Sequence, residues 1–433
     1  MTNIARMRPE TVGRQAPAFF TRAARGDATG RPMKAVIIGT GRVGCGFVGQ
    51  VLRASGYEVV FLGREPSMLE CLNKARRYYV HLVDGRSAER VVVDGVRAVS
   101  VQDADRAVQE LAGAGLIATA VGSRNLPEVA SLIAMSLRQR SAPANVIAFE
   151  NSADAGRCLR NLVASQLPAD FPVDKHGFSG AVLCRVISDW LRDKRTAGRL
   201  VVIGEPVTRF AVDGRALRAP LPAIEGMVVT NDFAAWFERK LYVFLAGHAV
   251  CAYLGFLRGH AHIHAAIADA EIRAAVIGAM REGQKGIAAR YGSGFAGGEG
   301  FLRKIVSRFE NSALNDSILR VAREPVRKLQ PRDRLVGAAR LAEAAGICPE
   351  NLALGMAAAL QFCHPADPIS LTLRRDVELV GVDAVLRRVS GIKRGSSLGR
   401  LVAAACSRTG AITAAEPLSK PRVGYVGRPR VAA

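Results

Sequence analysis

Residues 33–54 read Met33-Lys34-Ala35-Val36-Ile37-Ile38-Gly39-Thr40-Gly41-Arg42-Val43-Gly44-Cys45-Gly46-Phe47-Val48-Gly49-Gln50-Val51-Leu52-Arg53-Ala54. A short apolar run ends on three glycines spaced GxGxxG, and a helical pattern over 47–54 follows. The spacing predicts a strand, a tight turn and a helix N-terminus, the arrangement that holds a dinucleotide pyrophosphate. In it Gly39 permits the turn, Gly41 lets backbone approach the phosphates and Gly44 lets helix pack on strand, with Arg42 and Val43 between them. A lone GxGxxG is weak evidence, but a second strand follows about 20 residues on, as the motif requires. That strand ends in Phe61-Leu62-Gly63-Arg64-Glu65. An acid at its end would accept hydrogen bonds from the adenosine ribose and repel a 2′-phosphate. Gly63 stands there instead, with Arg64 beside it, so a guanidinium clamp on a 2′-phosphate is expected and NADP is favoured over NAD. If the strand ended later, Glu65 would take the ribose instead.

Outward from this stretch, four apolar runs (35–38, 58–62, 116–121 and 145–149) read as parallel strands buried on both faces, each flanked by helical patterns. Runs at 181–187, 200–203 and 207–212 extend that sheet or add an antiparallel piece. After Gly226 the chain turns to long Ala- and Leu-rich helical patterns at 233–257, 263–290, 301–309, 334–345 and 352–362. The expected fold is therefore α/β: a Rossmann-type domain over 33–226, then an all-α domain over 227–410. A basic, disordered extension is expected over 1–32, where Met33 resembles a natural start, and a disordered tail over 411–433.

Composition narrows the class. The 433 residues carry 60 Lys+Arg against 38 Asp+Glu, a formal charge of +22, with 49% hydrophobic residues. That much apolar material excludes a disordered chain. No apolar stretch reaches the ~20 uncharged residues of a membrane span. Eight cysteines without a CxxC pair suggest neither a zinc ribbon nor a disulfide framework, so a reduced, cytoplasmic enzyme is expected. The charge invites nucleic acid, but there is no recognition motif and aromatics are only 6%. Three histidines, 260, 262 and 264, tempt a metal reading; alternate residues on a helix diverge by ~200°, so they converge only if the segment is extended, and no metal is expected.

Several stretches together resemble the polyol-specific long-chain dehydrogenases, the mannitol dehydrogenase family. They include the opening Met33-Lys34-Ala35 and glycine motif, Thr119-Ala120-Val121-Gly122, Glu150-Asn151, Phe237-Glu238-Arg239-Lys240-Leu241, Gly247-His248-Ala249, Arg290-Tyr291-Gly292, Arg308-Phe309-Glu310-Asn311 and Arg327-Lys328-Leu329. The resemblance covers roughly residues 33–400. It implies a metal-independent, nicotinamide-dependent interconversion of a sugar alcohol and a ketose, here of the mannitol 1-phosphate and fructose 6-phosphate kind. It adds Val121 and Gly122 to the cofactor site. The family's signature is Lys, Asn five later and His eight later. Lys240 and His248 match it, ~80° apart on a helix, with Lys240 as general acid–base and Asn151 as an oxyanion donor. Arg185, Arg320 and Lys328 would bind substrate, and Arg308, Asn311 and Asp316 accompany them. A small anionic sugar or polyol is thus the expected partner of a monomer or homodimer. Two positions depart: Leu245 replaces the signature Asn, and Cys184 replaces an Asp that meets the polyol. They leave open an alternative, a weakened or inactive paralogue with a sensing role.

Overall fold

The computed structural model describes residues 32–191 and 200–414. The extension expected over 1–32 lies outside the described residues except for Pro32, and so does the expected tail beyond Ala414. Residues 411–414, expected to be tail, are the last turn of the helix Ser397–Ala414.

The described residues form β1 (Lys34–Ile38), β2 (Glu58–Gly63), β3 (Arg77–Val83), β4 (Ala88–Asp94), β5 (Arg97–Ser100), β6 (Leu116–Thr119), β7 (Asn145–Ala148), β8 (Gly177–Leu183), β9 (Ile187–Leu191), β10 (Val201–Gly204), β11 (Phe210–Asp213) and β12 (Met227–Thr230). Eight make one sheet in the order β12-β11-β8-β7-β6-β1-β2-β5. From β8 to β5 every neighbour is parallel; only β8 and β11 run antiparallel. The continuous apolar runs are explained by this burial. Ala35, Ile37, Val59, Phe61, Ala118 and Ile147 point into one core with Phe47, Val51 and Leu52 of the glycine-rich helix. Their neighbours Val36, Ile38, Val60, Leu62, Ile117 and Val146 point into the other, against the helices Ala104–Ala112, Leu126–Arg138 and Ala155–Ala164. A strand with a core on each face is apolar except where a buried polar side chain finds a hydrogen-bond partner, as Asn145 does with Ala219 O and Arg218 N.

Of the two outcomes expected for residues 200–203, the added antiparallel piece holds, in a second sheet β4-β3-β10-β9. β10 does not join the large sheet; it pairs parallel with β3 and antiparallel with β9. Tyr78, Val80, Leu82, Ile187 and Val202 turn one face of this sheet into the first core. Its other face is half-exposed, which gives β3 and β4 an alternating, partly charged sequence instead of an apolar run.

The chain divides into two compact units, Met1–Phe244 with Ile287–Asp316, and Leu245–Gly286 with Ser317–Ala433. The second is helical, built from Leu245–Leu257, Ile263–Ala268, most of Ala270–Tyr291, Val336–Ala344, Glu350–Gln361, Pro368–Val385 and Ser397–Ala414 among others. Glycine allows close helix contact there: a Cβ at Gly355 would lie 2.5 Å from Val250 Cγ2. The single helix expected over 263–290 is broken at Asp269. The Asp269 carboxylate accepts from Glu271 N (2.9 Å) and Ile272 N (3.1 Å) and caps a new helix there. The helix Phe233–Leu257 is 25 residues long and apolar enough to cross a membrane, but 83% of its most apolar stretch is buried inside the protein.

Candidate active site

The glycine-rich turn is shaped by contacts that no side chain could share. Gly39 has φ +119°, and a Cβ there would lie 2.4 Å from Ala120 O. A Cβ at Gly44 would lie 2.0 Å from Gly39 O, whereas one at Gly41 would meet nothing within 4 Å. Gly41 therefore presents bare backbone to open space. Arg42 and Val43 begin the helix, and its next stretch, Gly44–Gly49, is a buried π-helical segment before regular helix resumes at Gln50–Ala54. Insertions of this kind collect at functional sites.

Beside the turn lies a cleft of about 410 Å³, lined by Gly39–Gly41, Gly63, Arg64, Glu65, Val121 and Glu128 among others, with Leu62, Val101, Val129 and Leu132 as apolar wall. It lies at the carboxyl ends of β1, β2 and β6, where open parallel sheets bind ligands. A bare turn, an apolar wall and one guanidinium at the end of β2 fit a dinucleotide. The strand ends at Gly63, and a Cβ there would press on Thr40 Cγ2 at 2.8 Å. Glu65 lies two residues further, at the start of the helix Pro66–Ala75, and accepts from Ser67 Oγ at 3.0 Å. Arg64 Nη1 donates to Glu128 Oε2 at 2.8 Å.

Val121 and Gly122 follow β6, and a carboxylate pins both. Val121 N (3.0 Å) and Gly122 N (2.8 Å) donate to the two oxygens of Glu150, which is 5% exposed. Burial raises the pKa of this carboxyl, and the two backbone N–H groups and Thr119 pull it back. Asn151 is next in the chain, and its Oδ1 accepts from Lys240 Nζ at 3.0 Å. Lys240 opens a second π-helical turn, Lys240–Phe244, directly after the helix Phe233–Arg239.

The residues before Lys240 are firmly anchored. Glu238 accepts from Arg290 Nη1 (2.8 Å) and the Tyr291 hydroxyl (3.0 Å). Arg239 lies over Phe295 (4.3 Å), Trp236 (5.1 Å) and Phe301 (5.3 Å), and donates to Phe295 O at 2.6 Å. Burial lowers its pKa. Apart from Trp236, these partners lie more than 50 residues away in sequence, so their role could not be read from spacing. Glu150 did carry a signal, an acid just past an apolar strand at the ligand end of a parallel sheet.

Arg185, expected to bind substrate, is 5% exposed and held by protein acceptors. Its Nη1 donates to Gly46 O and Gln50 Oε1, both at 2.8 Å, and its Nε to Val207 O at 2.9 Å. Its guanidinium lies over the Phe47 ring at 5.0 Å, and burial pushes its pKa down to about 10. Arg308 is likewise engaged. Its Nε (2.8 Å) and Nη2 (2.6 Å) grip Glu205, a 2%-exposed carboxylate absent from the sequence reading, and Nη2 also donates to Cys184 O. Asn311 Nδ2 donates to Val83 O at 2.8 Å. Cys184 is half-buried.

In the second unit His248 is buried on the helix Leu245–Leu257. Arg320 is half-buried on Ile318–Ala322. Lys328 is 2% exposed at the end of Pro325–Lys328, and its Nζ donates to Arg323 O. Burial drives its pKa well below the usual lysine value, and the Arg334 and Arg327 cations add to that. Asp316, in the first unit, is also buried. His262 is in extended conformation before the helix Ile263–Ala268, so its ring and that of His264 stack at 5.5 Å and do not diverge.

A glycine-rich cradle at the carboxyl ends of a parallel sheet, with a lysine and asparagine in hydrogen-bond contact in the same unit, defines a nicotinamide-dependent oxidoreductase. The chain belongs to the mannitol dehydrogenase family: the model of the mannitol dehydrogenase Rossmann domain matches residues 33–226, and that of the mannitol dehydrogenase C-terminal domain matches 232–393. It is similar to mannitol-1-phosphate 5-dehydrogenase of Brevibacillus brevis, 36% identical over 377 residues (86% of this chain, 96% of the relative). The Exiguobacterium enzyme of the same name is 35% identical over 376 residues, with the same two coverages. Among solved structures, Pseudomonas fluorescens mannitol 2-dehydrogenase in ternary complex with NAD and D-mannitol shares the fold at TM-score 0.69 and 16% identity, over 89% of this chain and 94% of that one. A substrate-free D-sorbitol dehydrogenase does so at TM-score 0.71 and 16% identity, with the same coverages. The inactive-paralogue alternative has no support in these comparisons.

Proposed function

We propose that the protein interconverts a phosphorylated or otherwise anionic sugar alcohol, of the mannitol 1-phosphate kind, and its ketose. The observation that carries this reading is the 3.0 Å contact between Lys240 Nζ and Asn151 Oδ1, three residues past β7. In the oxidation direction Lys240 takes the substrate hydroxyl proton; in reduction it returns that proton to the carbonyl oxygen. Asn151 orients the ammonium through Oδ1 and leaves its Nδ2 to polarise the reacting oxygen. A bound nicotinamide supplies or accepts the hydride. Glu150 fixes the two loops that carry these parts, because its carboxylate ties Val121 and Gly122 to the residue before Asn151. In the helical unit we assign His248 to orienting substrate, and Arg320 and Lys328 to its anion. Arg334 and Arg327 already crowd Lys328 with positive charge, a setting that favours an incoming phosphate.

For the cofactor we propose a nicotinamide dinucleotide whose adenosine 2′ position faces Arg64, the guanidinium that would clamp the 2′-phosphate of NADP. The eight free cysteines suit a reduced, cytoplasmic setting. The test is to incubate the purified full chain with NADH or NADPH and fructose 6-phosphate, fructose, and a panel of uronates and ketose phosphates. Loss of the reduced nicotinamide's absorbance with a phosphorylated or carboxylated ketose supports the reading. Cofactor binding without turnover on any of them overturns it.

A further inference from the structure

The adenosine end of the cleft holds a charged group that the cofactor reading leaves unused. Glu128 is the third residue of the helix Leu126–Arg138, and it lines the same cleft as Gly63 and Arg64. Its Oε2 accepts from Arg64 Nη1 at 2.8 Å across 64 residues of sequence. A carboxylate in the first turn of a helix is stabilised there by the N–H ends of that turn, so Glu128 has its own reason to remain ionised beside the cleft. The other acid, Glu65, has an oxygen turned to the Ser67 hydroxyl of its own helix. Gly63 cannot carry an acid at all without displacing Thr40 and Leu69, which its Cβ would meet at 2.8 and 3.0 Å. The negative charge that a ribose-binding acid at the end of β2 would provide is therefore supplied from the opposite wall.

We infer that Glu128 is the residue that sets the choice between NAD and NADP, by occupying the Arg64 guanidinium that a 2′-phosphate would need. The pair can exchange partners. Its side chains are 64% and 55% exposed, and an ion pair so open to water is held weakly. A dinucleotide with a free 2′-hydroxyl leaves the pair intact and meets Arg64 as a flat, apolar-faced lid. A 2′-phosphate must draw Arg64 away and then lie beside an unpaired carboxylate, a like-charge contact that costs affinity. Arg64 alone would read as an NADP determinant; Arg64 paired with Glu128 is a balanced switch that a single substitution can tip.

This inference rests on the reading that Arg64 faces the 2′ position, and the experiment separates the two. Dissociation constants of NADPH and NADH are measured by nicotinamide fluorescence for the wild-type chain, Glu128→Gln, Arg64→Ala and the double variant. Glu128→Gln is expected to tighten NADPH roughly fivefold, the scale of one screened like-charge contact, with NADH within twofold. That gain should shrink in the Arg64→Ala background, where no guanidinium is left to release, and at high salt. If Arg64→Ala weakens NADPH selectively while Glu128→Gln leaves the NADPH-to-NADH ratio within twofold, the switch is refuted and the clamp stands. If Arg64→Ala weakens both cofactors equally, the clamp is refuted and the switch with it.

Discussion

Glu150→Ala removes one carboxylate and strands two backbone donors. Val121 N and Gly122 N, at 3.0 and 2.8 Å from its two oxygens, lose this acceptor in a pocket where Glu150 is 5% exposed. A buried donor left unsatisfied costs about 1–3 kcal/mol, and bonds to a charged acceptor are at the upper end. Against that stands the relief of no longer burying a charge, the effect that raises this carboxyl's pKa. Two donors at about 2 kcal/mol each, less about 1–2 kcal/mol of relieved desolvation, leave a net loss of about 2–3 kcal/mol. Equilibrium urea unfolding reads that loss directly. The same loop lines the cofactor cleft, so the NADH dissociation constant should rise together with it. Glu150→Gln keeps one acceptor and sets an amide N–H against the other donor, so it should fall between wild type and Ala. If Ala lies within about 0.5 kcal/mol of wild type, with NADH binding unchanged, Glu150 does not hold the loop and the reasoning fails.

Two further predictions concern the same unit. Gly44→Ala puts a Cβ 2.0 Å from Gly39 O, which must move the turn, so cofactor affinity should fall by at least tenfold in a titration while the far-ultraviolet spectrum stays native; unchanged affinity would refute the cradle. Glu110 receives Lys34 Nζ (3.0 Å) and Arg97 Nη2 (2.8 Å), and the Arg97 hydrogen bonds, then those of Lys34, bring its pKa down to about 2 from 4.5. Because the folded value is the lower one, this pair stabilises fully above pH 4.5 and loses that stability as pH falls toward 2. Solvent screening leaves about 2 kcal/mol of the full shift. Urea midpoints measured down that range should drop less steeply for Glu110→Gln than for wild type, and parallel slopes would contradict it.

The parts legible in the sequence are those where one local requirement dictates the residues. A strand buried on both faces must be largely apolar, so β1, β2, β6 and β7 stood out. A turn whose glycine carbonyl lies 2.0 Å from where a Cβ would be must repeat glycine. The second sheet was hidden because only one face of β3 and β4 packs inward, and their alternating sequence resembles a loop hairpin. The break at Asp269 and the helix from Pro368 both carried start signals, an aspartate cap in each case and a proline in the second. Lys240 and His248 are legible only through the family resemblance, which their eight-residue spacing matches. The groups that position Lys240 could not be read from spacing, because Asn151 is 89 residues away and Arg290 52 from Glu238. Nor could Arg185's place: the family resemblance suggested a substrate contact, whereas the fold provides three protein acceptors beneath the glycine-rich helix.

The central claim is that Lys240 moves the proton. It is tested most directly by the single-turnover rate of fructose 6-phosphate reduction in Lys240→Ala, with NADH affinity measured in parallel. A general acid–base contributes about 10²–10⁴ in rate, so the account predicts a fall of that size with NADH affinity held and partial recovery on adding a small primary amine. A rate within tenfold of wild type at unchanged affinity would contradict it.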